Sequence, residues 1–133
     1  MREEMADNRM CRRAPRGRGN GMTVSYFALY QTPADPTDFE QHYAGTHVPL
    51  VEKVPGLVEN RVHRVIRQFV GKPAYHLIAE LVFESAEAME QALTSPEWTA
   101  AGDDLREWGG IELATMFSAE PHRPGSAGAD ATG

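Results

Sequence analysis

Several common markers are missing from this chain, and each absence closes off a class of protein. There is one cysteine, Cys11, in 133 residues. It cannot form an internal disulfide and has no thiolate neighbours for a metal site, so a reducing cytoplasm is the expected compartment. No apolar run approaches the roughly 18 residues that a bilayer span requires, so no membrane partner is expected. There is no phosphate-cradling glycine loop: Gly17, Gly19 and Gly21 have the wrong spacing for a dinucleotide fingerprint, and no strand precedes them. No internal repeat of solenoid length appears. Basic residues are also scarce where folding is expected, because residues 22–133 carry seven Lys or Arg against sixteen acids. An acidic domain does not grip a phosphate backbone, so no nucleic-acid partner is expected there.

What remains is an ordinary soluble composition, 41% hydrophobic and 24% charged, long enough for one domain with a real core. Residues 1–21 hold six Arg against three acids and show no hydrophobic periodicity. They read as a disordered basic extension, with the domain expected to start at Met22, and they lack the apolar stretch of a secretory signal. Residues 121–133 read as a second disordered tail of small residues. The folded domain is expected over residues 22–120.

Val24 to Tyr30 reads as a first strand, rich in β-branched and aromatic residues. Asp35 or Thr37 then caps a helix on which Phe39, Tyr43, His47 and Leu50 share one face. Pro49 is expected to interrupt that helix near His47, and Pro55-Gly56 ends it. A second strand is predicted over Leu57 to Val70, a turn at Gly71-Lys72-Pro73, and a third strand over Tyr75 to Glu84. Ser85 caps a helix that restarts at Ser95-Pro96 and ends at Gly109-Gly110. Ile111 to Ser118 is the fourth strand. The order βαββαβ is that of an α+β, ferredoxin-like fold, a four-stranded antiparallel sheet with two helices on one face.

The strands themselves carry a further expectation. Leu77, Leu81 and Phe83 alternate with Ile78 and Val82, and Tyr26 and Ala28 with Phe27 and Leu29, so both faces of the sheet are apolar. Two helices cover one face only. The other would expose a larger apolar patch than monomers usually show, and a second copy of the chain is the simplest cover.

Three stretches also resemble the EthD family: FEQHYAGTHVPLVEKVPGL at 39–57, GKPAYHLIAEL at 71–81, and Ser95-Pro96-Glu97. The resemblance spans about residues 22–118. It implies a dimeric α/β barrel with a pocket in or beside each half, and the reductase, ether-degrading or other xenobiotic-degrading roles under which family members are labelled. Related barrels include monooxygenases, haem-degrading enzymes, isomerases and cyclases. Fold kinship does not fix the reaction.

Candidate chemistry lies on two elements. His47, beside the Pro49 break, reads either as a structural histidine bonded to a freed carbonyl or as a proton carrier near pH 7. Tyr43, one turn earlier, is either core or a hydrogen-bond donor to a substrate oxygen. His76 and Glu80 share a face of the third strand in regular alternation, and Arg61 and His63 share a face of the second. Turned toward the other sheet, His63, His76 and Glu80 would meet in one cavity and form an acid/base set; alternatively Glu80 is simply the ion-pair partner of Arg61 or Arg67. The expected catalytic residues are therefore His47, His76 and Glu80, with Tyr43, His63 and Arg61 binding substrate. Trp98 and Trp108 pack over the sheet or rim a pocket. No metal site is expected, since the histidines come from separate elements, and no cofactor is; haem would need an axial histidine that nothing specifies. The expected function is a small homodimeric oxidoreductase-type or acid/base enzyme acting on a small apolar molecule in the barrel cavity. The alternative is a non-catalytic ligand-binding protein or an accessory to a neighbouring oxygenase, and a third reading is a purely structural dimer with a filled barrel.

Overall fold

The computed structural model describes residues 23–122. The 1–21 extension and nearly all of the 121–133 tail lie outside the described residues. Strand β1 is Val24–Gln31, β2 Leu57–Arg64, β3 Tyr75–Phe83 and β4 Ala114–Ala119. They form one antiparallel sheet in the order β2-β3-β1-β4. This is the ferredoxin-like arrangement expected from the element order. Helices α1 (Pro36–His42), α2 (Val48–Val51), α3 (Ala86–Ala92) and α4 (Pro96–Trp108) complete the described chain, with a π turn, Tyr43–His47, between α1 and α2.

The caps are those the residue types favour. Asp35 accepts from the Asp38 N–H, Ser85 from Ala88 and Ser95 from Trp98, each satisfying a first-turn donor that the helix leaves unpaired. Pro36 and Pro96 occupy the first helical positions, where a missing N–H costs nothing. Gly109 ends α4 with φ of +92°, a left-handed conformation that favours glycine.

Directly opposed residues on neighbouring strands share a face, so the register sorts the sheet. Val24, Tyr26, Ala28 and Tyr30 join Leu77, Ala79, Leu81 and Phe83 toward the helices. Tyr30 and Phe83 are fully buried there, and Phe39, Tyr43, Val51, Met89, Ala101 and Leu105 close over them. The opposite face carries Phe27, Leu29, Ile78, Val82 and Phe117, and no described element covers it. Phe27 and Phe117 lie 5.6 Å apart there, and Phe117 is 47% exposed. The two-faced apolar pattern of the strands is therefore real.

Two strand boundaries differ from expectation by more than one residue. β2 ends at Arg64 instead of Val70: the Val65 N–H still reaches the His76 carbonyl at 2.8 Å, but among the described residues no strand pairs with residues 66–74. β4 starts at Ala114 instead of Ile111, because the chain leaving Gly109 first makes a 3-10 turn, Gly110–Leu113.

Candidate active site

Asp104 of α4 sits between two imidazoles of the first helical segment. His42 Nε2–H donates to its carboxylate at 2.9 Å, and His47 Nδ1–H donates at 3.1 Å. On a regular α-helix, residues five apart point roughly 140° away from one another. The π turn removes that obstacle. The Val48 N–H bonds the Tyr43 carbonyl, five residues back, and the widened turn brings His42 and His47 to the same carboxylate. The wide turn also suits Pro49, which has no N–H to give and whose ring would clash with the carbonyl four residues earlier in a tight helix.

Trp108 completes the arrangement. Its indole stacks on the His42 ring at 4.5 Å and 21°, and its ring centre is 6.0 Å from that of His47. Phe39 also packs against it, 4.9 Å from Trp108. Gly110 makes room for the indole: a Cβ there would fall 2.7 Å from a Trp108 ring atom and 2.9 Å from Leu105.

The electrostatics follow from burial and from Asp104. Burial pushes the His47 pKa below its ordinary 6.5, outweighing the hydrogen bond and charge of Asp104, which pull it up. The ring is neutral at pH 7. With Nδ1 donating to the carboxylate, its proton is fixed on that nitrogen, and Nε2 is left with a lone pair. Tyr30 and Tyr43 have pKa values pushed up, chiefly by burial, and remain protonated phenols.

The expected site residues fall into three groups. His47 and Tyr43 lie on the helix side, and both are buried. Tyr43 belongs to the aromatic cluster, with ring centres 5.5 Å from Tyr30 and 5.9 Å from Phe39. Glu80, Arg61 and His63 lie on the uncovered face. Glu80 accepts from the Ser25 hydroxyl at 2.8 Å and lies 3.5 Å from Arg61, which also pairs with Glu59. This is the ion-pair reading of Glu80; His63 is exposed beside it.

His76 does not join them. The register between β1 and β3 slips by one residue between Tyr30 and Gln31, leaving His76 with no residue opposite. This bulge breaks the alternation and turns His76 toward α1, where its Nε2–H donates to Glu40 at 2.7 Å. Glu40 also accepts two hydrogen bonds from Arg64, at 2.9 and 3.1 Å. Arg64 first, and His76 second, hold the Glu40 carboxyl below the ordinary carboxylate range. A single cavity lined by His63, His76 and Glu80 is therefore not formed.

Sequence reasoning missed His42, Asp104 and the scaffolding role of Trp108. A signal for Asp104 was present. Ala101, Asp104, Leu105 and Trp108 recur at helical spacing, which places an acid on the inward stripe of α4. His42 was hidden because its relation to His47 needs the π turn.

Among the described residues, no three His, Cys, Asp or Glu side chains are placed to hold a metal ion. No helix among them is long and apolar enough to cross a membrane. A shallow groove of about 230 Å³ runs along α2 and α4, lined by Leu50, Lys53, Pro96, Glu97 and Ala100.

These features sit on a fold and sequence with clear relatives. The chain belongs to the EthD family: the EthD domain matches residues 31–108. It is 32% identical over 92 residues to an uncharacterized 11.0 kDa protein of the thcB-thcC intergenic region of Rhodococcus erythropolis, covering 69% of this chain and 89% of that one. It is 33% identical to an ethyl tert-butyl ether D (EthD) family protein of Bacillus halodurans, with a TM-score of 0.70 over 76% of this chain and all of the other. A dimeric ferredoxin-like protein of unknown function from Thermobifida fusca shares the fold at 14% identity, with a TM-score of 0.58 over 77% of this chain and 93% of the other.

Proposed function

We propose that this chain is a homodimeric, cytoplasmic acid/base enzyme that moves a proton on a small, largely apolar organic molecule without a resident cofactor. His47 Nε2 is the base. Asp104 orients the ring and fixes its tautomer, and His42, on the same carboxylate, tethers Asp104 from the other side. The observation that carries this reading is the Asp104 carboxylate bridging two imidazoles, one of them buried and neutral, against an indole. A structural histidine needs one satisfied nitrogen; a carboxylate held at both oxygens by histidines is an arrangement for orienting a base. The aromatic rings packed around His47, those of Tyr43 and Trp108, support an apolar substrate.

Pairing is supported by the uncovered face around Phe27, Ile78 and Phe117, and the Thermobifida fusca protein of the same fold is described as dimeric. In this reading the sheets pack face to face, while the chemistry lies on the helix side of each and not between the sheets. Glu80 and Arg61 then serve the interface, and His76 braces α1 through Glu40.

Proton exchange tests the reading. Protein in D2O is incubated with a panel of small ketones and phenols, and loss of C–H signal is followed by proton NMR. Exchange is expected with at least one member, abolished in His47→Gln and at least tenfold slower in Asp104→Asn, both variants keeping the wild-type circular dichroism spectrum. Absence of exchange across the panel, or exchange that survives His47→Gln, contradicts the reading. A second reading, a non-catalytic carrier, draws on the groove between α2 and α4, which lacks convergent polar groups apart from Lys53 and Glu97. Tight binding of a panel member that is never exchanged would favour it.

A further inference from the structure

Residues 65–74, which join β2 to β3, form an arm whose apolar side chains face solvent. Ile66 is 96% exposed, Phe69 80% and Val70 87%, well beyond the exposure of any apolar residue on the sheet's uncovered face. The arm is braced from within. Gln68 Nε2–H donates to the Gly71 and Pro73 carbonyls at 3.0 and 2.9 Å, and its Oε1 accepts from the Tyr75 N–H at 2.9 Å. The Arg67 guanidinium lies 4.6 Å from the centre of the Phe69 ring. Such bracing holds three apolar groups outward that a slack loop would fold back onto the core.

We infer that this arm reaches onto a second copy of the chain and buries Ile66, Phe69 and Val70 against it; the inference rests on the pairing proposed above. Three observations favour a second copy as the occupant. The first is continuity: His63, on the uncovered face of β2, lies two residues before the arm starts at Val65. The second is area. The uncovered face offers about a dozen side chains, short of the roughly 20–30 residues a side of a standard interface, and the arm supplies more. The third is charge. Residues 65–74 hold Arg67 and Lys72 and no acid, whereas the rest of residues 22–133 holds five Lys or Arg against sixteen acids. A basic, apolar arm is complementary to the remainder of its own domain, and that acidic remainder opposes approach to an anionic lipid surface.

Sedimentation of three full-length proteins decides the matter: wild type, the triple variant Ile66→Ser, Phe69→Ser, Val70→Ser, and Phe27→Asp on the sheet face. Wild type is expected as a dimer, Phe27→Asp as a monomer, and the triple variant as a dimer weakened at least tenfold with an unchanged circular dichroism spectrum. A triple variant that dimerises as tightly as wild type overturns the arm's role while leaving sheet pairing intact. A monomeric wild type overturns both. Cosedimentation of wild type with phosphatidylserine-containing vesicles, lost in the triple variant, would assign the arm to a membrane and overturn the inference as well.

Discussion

Asp104 holds two histidines with one carboxylate, and the consequences can be read in the His47 titration. Burial lowers its pKa while Asp104 raises it, so Asp104→Asn removes the opposing influence. The His47 midpoint, followed by NMR of the imidazole carbons, is expected below 6.5 in wild type and lower still in Asp104→Asn; a rise in the variant would contradict the coupling. The same group shapes acid stability. A histidine whose native pKa is depressed binds fewer protons folded than unfolded, so stability is lost as pH falls through 6.5 and on to the native pKa. The urea midpoint of wild type should therefore drop between pH 7.5 and 5.5, and by less in His47→Gln. Glu40, with a lowered carboxyl pKa, makes its own loss only below about pH 4.5, so it starts at lower pH than the loss from His47. At this scale His47 was legible from its place on an inward helical face. His76 was misplaced because strand alternation assumes an unbroken ladder, and the bulge at Tyr30 and Gln31 breaks it.

The elements show where local sequence decides and where it does not. Ser85, Ser95, Pro96 and Gly109 do at the helix ends what their chemistry favours, which is why those boundaries could be read. Ser95 does it twice over, accepting from Trp98 and donating to the Ala92 carbonyl at 2.7 Å. Ser95→Ala is expected to cost about 1–2 kcal/mol in a urea titration; a cost within a few tenths would contradict the capping role. The π turn could not be read, since a widened turn has no residue signature beyond the nearby proline. It yields a sharp expectation. Deleting Gly45 changes the His42 to His47 spacing from five residues to four, which a regular helix also stacks on one face. Both imidazoles should stay on Asp104, with the lowered His47 midpoint retained, while Pro49 in a tightened helix costs about 3 kcal/mol of stability. Loss of the His47 shift in a folded deletion variant would contradict this account of the turn. β2 was read too long because Val65 to Val70 has strand-forming residues, and what it lacks is a neighbouring strand among the described residues.

On the scale of the whole molecule, one sheet presents two apolar sides, one covered by helices and one uncovered by any described element. The helix-covered side holds His42, His47, Asp104 and Trp108, and the uncovered side holds Phe27, Ile78 and Phe117, with Glu80 opposite Phe27 and Arg61 opposite Glu80. The four-stranded fold and its two apolar faces followed from periodicity alone, because alternation records burial whatever covers the strand. The position of the proposed site did not follow, since it depends on α1 and α4 meeting across 62 residues of chain, a contact no local pattern encodes. Placing the site on the helix side is the central claim, and a ligand titration addresses it directly. Phenol is added to isotopically labelled protein, and shifts are mapped in heteronuclear spectra. The account predicts saturable shifts at the His42 and His47 rings and the Trp108 indole, with Phe27, Ile78 and Phe117 unmoved. Shifts confined to Phe27, Ile78 and Phe117, with the two histidines silent, would contradict it.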